Sequence, residues 1–86
     1  MNCYSLTLHL KSKPDALERV LRVVRHRGFC IDTMTMNQEG AQLTNVQLTL
    51  NSERDILLLT HQLNKLIDVL DTTLISDTSQ LSSQYQ

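Results

Sequence analysis

An α+β fold of order βαββαβ, a four-stranded antiparallel sheet with two helices on one face, is predicted by three features of this 86-residue chain. Apolar residues alternate with polar ones in two separate runs, the period of a half-buried strand. Two other stretches repeat apolar residues every three to four positions, the period of a helix packed on one side. The only glycines, Gly28 and Gly40, fall between these segments, where a cap and a turn are needed.

The first run, CYSLTLHL, places Tyr4, Leu6, Leu8 and Leu10 on one side and Cys3, Ser5, Thr7 and His9 on the other. Pro14 then suits a first helical position, because its φ is fixed and its missing N–H has no partner there. Leu17, Val20, Leu21 and Val24 form one stripe, so a helix is expected over residues 14–27, capped by Gly28. FCIDTMTMN carries Phe29 and Ile31 in one phase and Met34 and Met36 in the other, which reads as a strand with a bulge near Thr33. A turn at Gly40 leads to LTNVQLTL, whose Val46, Leu48 and Leu50 face inward, completing a hairpin. Ser52 followed by Asp55 resembles a capping box, and Ile56, Leu59, Leu63 and Leu66 trace one face of a second helix. VLDTTLI is a last, shorter strand. The domain is therefore expected to span residues 1–75, and the Ser-, Thr- and Gln-rich residues 76–86 to form a disordered polar tail.

This order closes most simply as the split-βαβ, or ferredoxin-like, arrangement. Its strand order would be 4-1-3-2, with the second and fourth strands at the edges and one sheet face open. Neither edge carries the lysine or proline that discourages pairing, and Leu57 and Leu58 fall outside the second helix's inner stripe. Association, most simply as a homodimer, is expected, through either edge.

Composition excludes several functions. The net charge is −1, which argues against a general nucleic-acid or anionic-membrane binder. The outward sheet positions Ser5, Thr7, His9, Asn45, Gln47 and Thr49 offer no aromatic platform for RNA bases. His9, His26 and His61 lie one per element, so no metal site is expected, and no nucleophile or base is set in a conspicuous loop. Cys3 and Cys30 read as two half-buried thiols rather than a disulfide. No apolar run approaches the roughly 18 residues of a membrane span, no signal-peptide pattern precedes the first apolar run, and a cytoplasmic location is expected.

Charge is nevertheless uneven. Residues 11–27 hold six of the eight Lys and Arg. Asp15 precedes Arg19 by four positions, as Glu18 does Arg22, the favoured order for exposed helix pairs, while Arg25, His26 and Arg27 crowd the negative end of the helix dipole. A solvated face and a docking face both fit this pattern.

The runs LERVLRVVRHRGF (17–29) and QLNKLIDVL (62–70) resemble the small regulatory subunits of acetolactate synthase (acetohydroxyacid synthase), in the short form that accompanies bacterial isozyme II. The similarity covers about residues 4–75, and these subunits carry a βαββαβ ACT domain. The resemblance implies a non-catalytic chain that stimulates a catalytic large subunit. That partner binds thiamine diphosphate, Mg²⁺ and FAD and condenses pyruvate with a second 2-keto acid on the route to branched-chain amino acids; this chain would hold no cofactor itself. It also implies side-by-side pairing of ACT domains through edge strands. In long-form members a branched-chain amino acid sits at the dimer interface, held by an Asn-x-x-Gly turn before the first helix and an Asn opening the second strand. The matching positions here are Ser12, Lys13, Pro14 and Asp15, leading into Ala16 and Leu17, with Cys30 beside Ile31 for the second asparagine. All three key residues differ, and Asp15 would set a negative charge beside an effector carboxylate, so weak or absent valine feedback is expected. Arg22, Arg25, Leu57 and Leu58 are the expected contact residues for the catalytic partner. The alternative is a stand-alone ACT-type amino-acid sensor.

Overall fold

The computed structural model describes residues 2–79. The elements are β1 (Asn2–Lys11), α1 (Ala16–His26), β2 (Cys30–Glu39), β3 (Leu43–Ser52), α2 (Ile56–Leu63) and β4 (Val69–Ser79). The sheet order is β2-β3-β1-β4, and every neighbouring pair is antiparallel. This is the arrangement the periodicities predict, with β2 and β4 at the edges.

The two alternating strands become the central pair. Tyr4 lies opposite Leu50, Leu6 opposite Leu48 and Leu8 opposite Val46, and all six are buried. Ala16, Val20 and Val24 of α1 and Ile56, Leu59 and Leu63 of α2 close over them in one cluster. Both helices thus cover the same face, and the Ser5, Thr7 and His9 side stays open to solvent. The bulge expected near Thr33 is present as a register shift between Ile31 and Thr33.

Gly28 ends α1 at φ +89°, a conformation that glycine adopts without strain. Its N–H bonds to the Arg25 carbonyl and that of Phe29 to the Val24 carbonyl, both at 3.1 Å, the paired bonds of a Schellman end. Phe29 is thereby turned into the core, its ring centroid 6.1 Å from that of Tyr4.

Several boundaries depart from the sequence reading. Helix α1 begins at Ala16 rather than Pro14, because Pro14 lies within a turn that the Ala16 N–H closes onto the Lys13 carbonyl, leaving Asp15 as the N-cap residue. The second cap is Asp55, whose carboxylate accepts from the Leu57 N–H. Ser52 is still in β3, and its hydroxyl donates to the Gly28 carbonyl at 2.8 Å. Helix α2 stops at Leu63, and Leu66 reaches the core from the turn beyond it. Strand β4 continues to Ser79, so the expected boundary at residue 75 falls inside it. Its length follows β1, since Ser76 to Ser79 pair with Ser5 to Asn2 through the backbone. Residues 80–86 of the expected tail lie outside the described residues.

Cys3 and Cys30 are exposed, not half-buried. Both stand opposite Asn51, one on each side of it, on the uncovered sheet face. Two strand spacings separate their Cα atoms by about 10 Å, beyond the roughly 7 Å reach of a disulfide.

Candidate functional site

The β1–α1 turn is the candidate site, because two of the connections and three strands converge on it. The Ser12 N–H bonds to the Gln42 carbonyl across the sheet end, and the Lys11 N–H to the Asp68 carbonyl ahead of β4. A closed ring of hydrogen bonds follows: Gln38 Nε2 donates to Ser12 Oγ at 2.8 Å, Ser12 Oγ is bonded to Thr44 Oγ1 at 2.8 Å, and Thr44 Oγ1 donates to Gln38 Oε1 at 3.2 Å.

On the helix side, Asp68 is 4% exposed, although it lies in the turn just before β4 and follows the exposed Ile67. Lys13 Nζ stands 3.5 Å from its Oδ1 and Arg19 Nη1 3.9 Å from its Oδ2, while Arg19 Nη2 reaches Asp15 Oδ2 at 2.9 Å. A buried carboxylate needs such compensation, since an unpaired charge out of water is costly. Sequence reasoning missed Asp68; the signal was a lone acid inside the apolar run LIDVL. The expected Asp15–Arg19 pair forms. Among the described residues no ion pair joins Glu18 to Arg22.

A shallow groove of about 430 Å³ runs past this turn, between Pro14, Ala16 and Leu17 on one wall and Met36 and Gln38 of β2 on the other. Lys13 and Arg19 are already matched by Asp68 and Asp15, whereas Lys11, which also lines the groove, has no carboxylate within ion-pair distance among the described residues. The ring hydroxyls are satisfied. Within one chain Cys30 and Ile31 do not join this cluster: they open β2, whereas its far end, around Gln38, faces Ser12.

Leu57 and Leu58 are 66% and 58% exposed. The groove they line is shared with His26, Arg27, Arg54 and His61, not with Arg22 or Arg25. Arg54 is a second residue that sequence reasoning missed, because a long-range contact places it.

On the open face His9 bridges the sheet. Its Nδ1 lies 2.8 Å from Asp71 Oδ1 in β4, its Nε2 3.2 Å from Asn45 Nδ2 in β3 and 3.8 Å from Glu39 Oε1 in β2. The hydrogen bond to Asp71 raises the imidazole pKa above its usual 6.5, helped by the charges of Asp71 and Glu39 and opposed by desolvation. A raised folded-state pKa gives stability that is fully present below 6.5 and is lost as pH climbs through the folded value. The melting-temperature gap between wild type and His9→Gln should therefore be widest near about pH 5.5 and narrow towards about pH 8.5. A gap that widened with pH would show that the Asp71 pair is not what holds the proton.

Among the described residues no group of three or more His, Cys, Asp or Glu is placed to hold a metal ion. No described helix is long and apolar enough to cross a membrane.

The sheet order and the turn it supports define an ACT domain, and a family model of that description matches residues 12–71. The acetolactate synthase isozyme 2 small subunit of Escherichia coli K12 is 43% identical over 77 residues, 88% of each chain, and that of Shigella flexneri is equally similar. This chain belongs to the ACT-domain family, among the small subunits of acetolactate synthase. The crystal structure of the Thermotoga maritima acetolactate synthase small subunit superposes with a TM-score of 0.73 at 20% identity, over 84% of this chain and 46% of that one. The ACT domain of Chlorobium tepidum GTP pyrophosphokinase gives 0.73 at 13% identity, over 85% and 96%. At those identities the two structures speak for the fold alone.

Proposed function

We propose that this chain is the regulatory, activating small subunit of an acetolactate synthase in branched-chain amino-acid biosynthesis. It catalyses nothing itself; it binds a thiamine-diphosphate-dependent catalytic subunit and raises its rate. Thiamine diphosphate, Mg²⁺ and FAD belong to that partner, and the complex works in the cytoplasm. The observation that carries this reading is the 43% identity to the isozyme 2 small subunit across nearly the whole of both chains. The ACT fold alone would fit a stand-alone sensor equally well.

The working form in this reading is a homodimer through β2. From Thr33 to Glu39 that strand runs in unbroken register with β3, whereas β4 is interrupted by two register shifts, which blunt an edge. Met34 and Met36, in phase with the buried Leu48 and Val46, are 43% and 53% exposed. Antiparallel β2–β2 pairing would bring Cys30 and Ile31 of one protomer towards the Ser12 to Leu17 turn of its partner. The effector position is then completed only by a second copy.

That position is poorly suited to an amino-acid carboxylate. Lys13 and Arg19 are engaged by Asp68 and Asp15, and Ser12 is closed into the ring with Gln38 and Thr44. Mixing the protein with a purified acetolactate synthase isozyme 2 large subunit should raise acetolactate formation several-fold, with little change on adding valine. Calorimetric titration of valine into the dimer should show no saturable submillimolar binding. Failure to stimulate would refute the subunit reading, and tight valine binding would refute the filled-site account.

A further inference from the structure

We propose that the groove between the C-terminal end of α1 and the outer side of α2 receives an acidic, apolar segment of the catalytic subunit. This rests on the subunit reading above and assigns the surface that it leaves open.

The groove has a volume of about 400 Å³. Leu57 and Leu58 form its apolar wall and Phe29 its floor. Around them stand Arg27 and His26 from the end of α1, Arg54 from the β3–α2 connection, and His61 from α2. None of its lining residues is acidic. Of the acids beside Arg54 in sequence, Asp55 is spent on the Leu57 N–H, and neither it nor Glu53 lines the groove.

Arg54 is set there by design of the backbone. Its N–H donates to Ser52 Oγ at 2.9 Å, its carbonyl accepts from the Tyr4 hydroxyl at 3.0 Å, and Ser52 Oγ donates to the Gly28 carbonyl. Its side chain lies over Gly28, where an added Cβ would come 3.2 Å from Arg54 Nε. Among the described residues neither Arg27 nor Arg54 has a carboxylate within ion-pair distance, whereas Arg19, one face away, has two.

Convergence of unpaired cations on an exposed leucine pair is unfavourable in the free chain and is relieved by a partner of opposite charge that also covers the leucines. A small anion would match the arginines but leave Leu57 and Leu58 wet. Nucleic acid would meet no exposed aromatic ring among the described residues, and a chain of net charge −1. An Asp- or Glu-bearing protein segment with a bulky apolar side chain meets both demands. Arg22 and Arg25 lie outside this groove.

The test is binding to, and activation of, a purified isozyme 2 large subunit at two salt concentrations. The Arg27→Glu/Arg54→Glu double variant should bind at least about thirtyfold more weakly and lose most of the salt dependence of the wild type. Leu57→Ala/Leu58→Ala should weaken binding about tenfold with the salt dependence retained. Arg22→Glu/Arg25→Glu should stay within about threefold of wild type. Circular dichroism and sedimentation, unchanged in all three, separate a lost contact from a lost fold. Double charge reversal that binds and activates like the wild type overturns the groove while the subunit reading stands. A wild type that neither binds nor activates overturns both.

Discussion

Leu8→Ala is expected to destabilise the domain by about 2–5 kcal/mol, the range for truncating a fully buried leucine. Leu8 is wholly excluded from solvent at the middle of β1, opposite Val46. Strands on both sides and helices above leave the site little room to collapse, so the missing methyl groups remain as a cavity. A domain of this size has a total stability of about 5–15 kcal/mol and loses about 4–8 °C of melting temperature per kcal/mol. The variant should accordingly melt at least about 8 °C below the wild type. Urea unfolding should show a lower midpoint with an unchanged slope. Leu57→Ala is the matched control: at 66% exposure it should change stability by less than about 0.5 kcal/mol. A Leu8 variant as stable as that control would mean that the β1–β3 pair is not the centre of the core.

In the proposed β2-paired homodimer, Met34→Lys/Met36→Lys is expected to leave monomers with the fold intact. Both methionines lie on the edge strand and are about half exposed, so the substitution costs the monomer little. In a two-fold β2 pairing each new ammonium group would meet the partner's, and like charges brought together at an interface cost several kcal/mol. The dimer dissociation constant should rise at least about a hundredfold. Sedimentation equilibrium reads this directly. An unaltered dimer would move the interface to β4 or to the open sheet face.

What the sequence made legible is whatever a local period determines. The alternation in LTLHL and VQLTL specifies which residues of β1 and β3 are buried. The Leu17 to Val24 spacing orients α1, of which Val20 and Val24 are fully buried. Gly28 marks the helix end because no other residue takes that φ without strain. Features set by a distant partner were not legible. Strand β4 runs to Ser79 only because β1 offers backbone groups that far. Asp68 is buried where Lys13 and Arg19, distant in sequence, reach it. The exposure of Cys3 and Cys30 follows from their row beside Asn51, a register fact. At the candidate site, the departures of Ser12, Asp15 and Cys30 from the long-form pattern were visible in sequence. The closed ring with Gln38 and Thr44 was not, since it joins residues 26 and 32 positions away from Ser12.

The placement of β1 at the middle of the sheet bears on how the chain is made. The leucine-rich first segment emerges from the ribosome early, yet one of its neighbours begins at Leu43 and the other ends opposite Asn2 at Ser79. Until β3 has been made this strand has neither flank occupied, and pairings so far apart in sequence close slowly. The nascent polypeptide therefore carries an exposed, sticky β-segment until Leu43–Ser52 has been made, and its second flank stays open until Val69–Ser79 follows.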